Sequence, residues 1–165
     1  MPKHMSLRFG DTSSGRSSVL ITEAAVATML SFRQIKGRDK EAGGQLFAHF
    51  DHGDVVIVEA TTPTLLDRRS RYNFNPNRLL QRREIRKKHA AGLHFVGDWH
   101  THPEPTATPS DDDLTSMQDC FRRSRHDLTA FILIILGIAP PPDGWYVALA
   151  TADSVQRLCS IEGGH

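Results

Sequence analysis

"LHFVGDWHTHPEPTATPSDDD", residues 93–113, passes from strand-like to helix-like sequence within 21 residues. Its first ten residues alternate and include β-forming side chains, which predicts a strand through "LHFVGDWHTH". A Pro-rich loop follows, and a helix is predicted from Ser110 to about Arg123. The three aspartates at its start suit the positive end of a helix dipole. The chain is therefore expected to pass here from a sheet into a helix.

The segments before this stretch also mix helices and strands. Apolar residues at helical spacing predict a helix over about residues 22–36, with Thr22 as a plausible N-cap. Two strands, "GQLFAHF" and "DVVIVEATTP", are predicted with a turn at residues 51–53 between them. A second helix is predicted from near Pro76, which suits a first helical position, to Gly92.

The segments after it add strands to the same sheet. The run "LTAFILIILGIA" is apolar on both faces, as in a central strand that is covered on both sides. "WYVALATA" predicts a further strand, and residues 155–161 predict a last short one. This order indicates an α/β fold with a mixed β-sheet flanked by helices. At 165 residues we expect a flexible leader over residues 1–18 and a single domain over residues 19–165.

Composition excludes several classes of protein. No apolar run reaches the ~18 residues of a membrane span, and the polar amino end lacks the apolar core of a signal peptide. A net charge of +1 makes nucleic acid an unexpected partner, although basic segments such as "QRREIRKKH" are clustered. The two cysteines, Cys120 and Cys159, show no CxxC spacing, which argues against a disulfide framework or a thiolate zinc cluster. We expect a reducing, cytoplasmic setting without a membrane partner.

Two histidines at the end of the predicted strand are candidate metal ligands. On a strand, His100 and His102 project from the same face while Thr101 faces away, so two imidazoles can meet one ion. A catalytic zinc ion needs a third protein ligand, for which Asp113 is the candidate. Ser110 lies three residues before Asp113 and would share its helical face. Spacing prefers Asp113, but its neighbours Asp111 and Asp112 remain competitors.

Each part of this pattern also has a structural interpretation. An isolated H-x-H on a strand is more often two ordinary histidines than a metal pair. Ser110 and Asp113 form nearly a capping box, for which helix stability is a sufficient explanation. H-x-H, seven residues and then S-x-x-D is much less expected by chance than any one part.

The combination of "HTHP" and "PSDDD" resembles the motif of the JAMM (MPN-plus, JAB) metalloproteases. The resemblance implies a JAB/MPN-type fold and a catalytic domain over residues 19–165. It also implies that His100, His102 and Asp113 are the ligands of one Zn²⁺ per chain. Ser110 matches the serine that supports the transition state.

The general base is assigned by resemblance alone. Glu41, in "EAGGQLF", matches the upstream glutamate of the motif. The sequence by itself does not select it over the other candidates, which are Glu23, Glu59, Glu84 and Glu104.

The segment "VGDWHTHPEP" is most similar to prokaryotic members of this family that accompany ubiquitin-like conjugation genes, including the deconjugase of type II CBASS antiviral operons. This similarity implies a zinc-dependent isopeptidase whose substrate is the carboxyl terminus of a ubiquitin-like or similarly conjugated protein, with operon proteins as partners. In a CBASS setting the substrate would be the conjugated cyclic-nucleotide synthase. The alternative is a non-catalytic MPN-type binding scaffold. A zinc nucleotide deaminase would need H-x-E and P-C-x-x-C signatures, and the sequence has neither.

Overall fold

A computed structural model describes residues 5–11 and 18–161. Within them the chain forms a nine-stranded mixed sheet, a two-stranded hairpin and three helices. The elements are, in order, β1 (Leu7–Gly10), β2 (Ser18–Ile21), α1 (Glu23–Leu30), β3 (Gly43–Asp51), β4 (Asp54–Ala60), β5 (Arg68–Ser70), β6 (Asn73–Asn75), α2 (Arg78–Ala90), β7 (His94–Thr101), α3 (Asp111–Arg123), β8 (Phe131–Leu136), β9 (Trp145–Ala150), β10 (Val155–Arg157) and β11 (Cys159–Ser160). The predicted α/β class is confirmed.

Strand β7 lies in the interior of the large sheet, whose order is β10-β9-β8-β7-β3-β4-β2-β1-β11. It pairs antiparallel with β3, which sets Gly43 opposite His100, and parallel with β8. All six residues of β8 are buried, as predicted for a strand covered on both faces. One part of the core contains residues of α1, and Met117 of α3 belongs to the other. The end of β7 is therefore held between neighbours on both sides.

No helix in the described part of the chain is long and apolar enough to cross a bilayer.

The first two helices are shorter than predicted. Helix α1 has the predicted N-cap at Thr22 but ends at Leu30, because Phe32 and Arg33 donate backbone hydrogen bonds in tight turns to Met29 and Leu30. Helix α2 begins at Arg78, because the Asn77 side chain accepts a hydrogen bond from Leu80 N (3.1 Å) as its N-cap. Pro76 thus precedes the cap and is not the first helical residue.

The predicted leader contains a strand. Leu7 and Phe9 of β1 are buried, and β1 pairs with β2 on one side and β11 on the other. Residues 7–10 are thus part of the sheet, since their alternating apolar side chains enter its core. The rest of the expected leader, apart from the described residues 5, 6, 11 and 18, lies outside the described residues.

The predicted last strand is divided in two. Val155–Arg157 pairs with β9, whereas Cys159–Ser160 pairs with β1 at the opposite end of the strand order. Leu158 between them is buried, and its N–H donates to Val147 O (2.8 Å). Six consecutive residues therefore join the two edges of the sheet, which must curl for them to meet.

Candidate metal centre

The two histidines of the H-x-H pattern and one aspartate of α3 lie together. The Nε2 atoms of His100 and His102 are 3.2 Å apart. The two oxygens of Asp113 lie 3.2 Å from His100 Nε2 and 3.2 Å from His102 Nε2. All three side chains are less than one fifth exposed. The fold thus brings together two imidazole nitrogens at the end of β7 and a carboxylate at the start of α3.

The spacing of these atoms fits zinc. Ligand atoms at 2.0–2.1 Å from a tetrahedral zinc ion are about 3.3 Å from one another, and two imidazoles with a carboxylate are a common catalytic ligand set. The observed separations of 3.2 Å agree with that geometry. Burial alone would raise the pKa of Asp113, but hydrogen bonds with His100 and His102 hold it far below its usual range, so the carboxylate is ionised. The charge and the distances both favour a divalent cation.

Asp113 also belongs to a capping box. Ser110 is the N-cap of α3, its Oγ accepts from Asp113 N (3.0 Å), and its N–H donates to Asp113 Oδ2 (2.9 Å). The helix-capping interpretation and the metal interpretation therefore describe the same side chains. Asp111 and Asp112 are exposed. Of the three aspartates, Asp113 contacts both histidines, because the capping box turns its carboxylate towards β7.

Glu41 lies beside the histidines, just before β3. It is 7% exposed, and one of its carboxylate oxygens lies within 4.8 Å of ring nitrogens of His100 and His102. Burial raises the pKa of Glu41, although the two histidines oppose this effect. Its backbone is fixed by hydrogen bonds from Glu41 N to Ser70 O (2.7 Å) and from Arg69 Nε to Glu41 O (2.9 Å). The hairpin β5–β6, which was not predicted, thus holds Glu41 in place.

Thr101, between the two histidines, connects β7 to Ala42, the residue after Glu41. Its side chain is fully buried on the opposite face, where Oγ1 accepts from Ala42 N (2.9 Å) and donates to Gln34 Oε1 (2.9 Å). Gln34 Nε2 in turn donates to Arg71 O (2.7 Å) in the hairpin turn. We did not predict these supporting roles. The available signal was a threonine directed into the core, since buried hydroxyls need partners.

Replacing Thr101 by valine should weaken the fold. Valine has nearly the same shape but leaves Ala42 N–H and Gln34 Oε1 without their partner, each of which is buried. We expect a loss of about 1–3 kcal/mol in the free energy of unfolding, measured by chemical denaturation of metal-free protein. Thr101→Ser, which restores the hydroxyl, is the matched control. Equal stability of the valine variant and wild type would show that the hydroxyl holds nothing.

A cleft of about 700 Å³ leads to the histidines. Residues of the hairpin, α2 and α3 line it, and so does Asp98, two residues before His100 on β7. Oδ1 of Asp98 is buried without a hydrogen-bond partner among the described residues, and burial raises the pKa of Asp98 to about 6. Trp99 is 1% exposed and its Nε1 donates to Thr61 O (2.9 Å), so it belongs mainly to the core.

Cys120 also lines the cleft, which raises the question of a thiol nucleophile. Burial raises the pKa of Cys120 to about 11. Catalytic cysteines are instead thiolates with a lowered pKa beside a cation or histidine. Both cysteines are free thiols, and Cys159 is exposed on β11. The cleft is therefore not built for cysteine catalysis.

Comparisons with known proteins cover most of the chain. The family model described as prokaryotic homologs of the JAB domain matches residues 24–153. A relative from Enterobacter hormaechei subsp. hoffmannii, named CD-NTase/cGAS isopeptidase, is 30% identical over 125 residues, which are 74% of this chain and 69% of the relative. Proteins with the same name from Vibrio cholerae and Pseudomonas aeruginosa are each 28% identical, over 72% and 74% of this chain and 76% and 78% of their own length.

The fold is also similar to that of a solved structure. A Desulfitobacterium hafniense protein determined in solution has a TM-score of 0.59 and 22% sequence identity. The match covers 83% of this chain and 87% of that chain. At this identity the similarity concerns the fold alone.

Proposed function

The chain belongs to the family of prokaryotic homologs of the JAB domain, and from this premise we propose that it is a zinc-dependent isopeptidase. One observation carries the proposal: His100, His102 and Asp113 present atoms 3.2 Å apart, with buried Glu41 beside them. These three residues would hold one Zn²⁺, and Glu41 would remain outside the ligand set as the base.

The side chains divide the reaction between them. Bound zinc would lower the pKa of a water molecule towards neutrality and polarise the carbonyl of the bond to be cleaved. Glu41 would take a proton from the attacking water and return it to the leaving amine. The Ser110 hydroxyl accepts from Asp113 N and can still donate its own hydrogen, so it would stabilise the negative charge that develops on the carbonyl oxygen.

Glycine or alanine at position 110 should separate this role from helix capping. We expect Ser110→Ala and Ser110→Gly both to lose about 10²–10³-fold in turnover, because both remove the hydroxyl donor. Alanine also costs about 1 kcal/mol of cap stability, whereas glycine costs only a few tenths. Steady-state rates and thermal denaturation measure the two effects. Full activity in the glycine variant would exclude Ser110 from the reaction.

The substrate is proposed from the cleft and the relatives. An extended peptide tail fits a cleft lined by β6, and β6 pairs only with β5 in the described part of the chain. Its other edge can accept backbone hydrogen bonds from such a tail. Since the relatives are named CD-NTase/cGAS isopeptidases, we take the tail to be the carboxyl terminus of a CD-NTase joined to a lysine in a CBASS system. A ubiquitin-like protein is the second candidate. The proposed setting is the cytoplasm, where both free thiols stay reduced.

Metal content tests the proposal first. Protein purified without added metal should contain one zinc per chain by elemental mass spectrometry, and His100→Ala should lose it. His94→Ala, at the exposed other end of β7, is the matched control and should keep the metal. Fusions to candidate carboxyl termini then test cleavage. Wild-type protein that is metal-free and takes up no added zinc would favour the non-catalytic scaffold instead.

A further inference from the structure

The loop after His102 carries a further carboxylate, which contacts His102 on the side of the ring away from Asp113. Glu104 Oε1 lies 3.0 Å from His102 Nδ1, the ring nitrogen that does not meet Asp113. The same oxygen accepts a hydrogen bond from Thr108 N (2.7 Å). The carboxylate is thus fixed on two sides, although its side chain is 40% exposed.

The backbone that carries Glu104 is itself held against the sheet. His102 N donates to Leu136 O (2.9 Å), and Ile138 N donates to Glu104 O (2.8 Å). Ala139 N donates to Pro105 O (2.9 Å). The loop therefore continues the pairing of β7 with β8, and it presents Glu104 from a fixed position rather than from a free surface segment.

We propose that Glu104 is a positioning residue that orients His102 for metal binding. A neutral imidazole carries its proton on one nitrogen only. Donation from Nδ1 to Glu104 places the proton there and leaves the Nε2 lone pair directed towards Asp113 and the ion. A carboxylate behind a ligating histidine also raises the basicity of the ligand. The inference rests on the zinc site of the proposed function.

The two histidines differ in this respect. In residues 5–11 and 18–161, no acidic side chain contacts Nδ1 of His100, whose contacts with Asp113 and His102 both use Nε2. His100 is instead placed by its position in β7, opposite Gly43 and Ile135. His102 lies just beyond the end of the strand, where the sheet no longer fixes the backbone on both sides. The supporting carboxylate thus occurs at the ligand that needs it more.

Zinc affinity tests the inference without any substrate. Zinc alone is titrated into metal-free full-length protein against a chromophoric chelator at pH 7. We expect Glu104→Ala to bind zinc about 10–100-fold more weakly than wild type. Glu104→Gln, which keeps an acceptor oxygen but loses the charge, should lie between the two. Asp112→Ala, which removes an exposed carboxylate from the same cleft, is the charge-matched control and should stay within about threefold of wild type.

Melting temperatures of the metal-free proteins separate positioning from a purely structural role. If Glu104→Ala melts at a lower temperature but binds zinc as tightly as wild type, the residue only braces the loop and the inference is wrong. If the alanine variant does not fold, Glu104→Gln decides by the same titration, and unchanged affinity overturns the inference. Wild type that binds no zinc would overturn the proposed function as well. Normal zinc binding in every variant would overturn only the inference about Glu104.

Discussion

Glu41→Gln is expected to lower turnover by about 10²–10⁴-fold while the protein keeps one zinc per chain. Glutamine has the same shape but cannot take a proton from the attacking water. Glu41 is buried beside His100 and His102, so the substitution removes the carboxylate at this position and leaves an amide of the same size. The measurement is the turnover rate on a confirmed substrate, together with zinc content by elemental mass spectrometry.

The zinc content in that experiment also separates two roles for Glu41. Its carboxylate is close enough to both histidines to be a ligand. A variant that loses zinc along with activity would show that Glu41 binds the ion, and wild-type turnover would exclude it as the base. Glu41→Asp is the control that keeps a carboxylate on a shorter chain. Partial activity in that variant would agree with proton transfer over a longer distance.

Asp113→Ala is expected to lose stoichiometric zinc and, with it, all measurable turnover. The carboxylate lies 3.2 Å from both histidines and would supply the negative charge of the proposed ligand set. The same substitution removes half of the capping box, which costs about 1 kcal/mol of helix stability. Elemental mass spectrometry and chemical denaturation measure the two losses separately.

Two further variants distinguish the effect of the Asp113 charge on zinc binding from its effect on the capping of α3. Asp113→Asn keeps an oxygen that can accept from Ser110 N, so α3 should remain capped while zinc affinity falls. Asp112→Ala alters the adjacent, exposed residue and should retain zinc and activity. Retention of stoichiometric zinc by Asp113→Ala would return the ligand role to one of its neighbours.

The predicted parts of the fold and site are those with local signals. The strand before His100 follows from alternation, and α3 follows from Ser110 as N-cap, so both appear at nearly their predicted bounds. The approach of Asp113 to the histidines also has a local cause, since one short loop connects them. Glu41 has no such signal. It reaches the site through the pairing of Gly43 with His100, a register that separate segments of sequence do not specify.

The parts that were missed depend on tertiary contacts. Hairpin β5–β6 is too short and polar to show an alternating pattern, and it is held by hydrogen bonds from Glu41 N to Ser70 O and from Gln34 Nε2 to Arg71 O. The sequence predicts a leader where β1 lies, because the four residues of β1 are stabilised by the strands on either side of them and have no strong local signal. The division at Leu158 arises because one residue enters the core between two pairings.

The segment of residues 155–160 has a consequence for synthesis on the ribosome. Phe9 pairs with Ser160, so β1 gains its outer neighbour only after residue 160 has been synthesised. Pairings that distant in sequence form slowly. A chain terminated before Val155 would leave β9 and β1 as open edges, and such edges recruit other chains. Termination before Val155 should therefore give aggregated protein in place of a shorter folded domain.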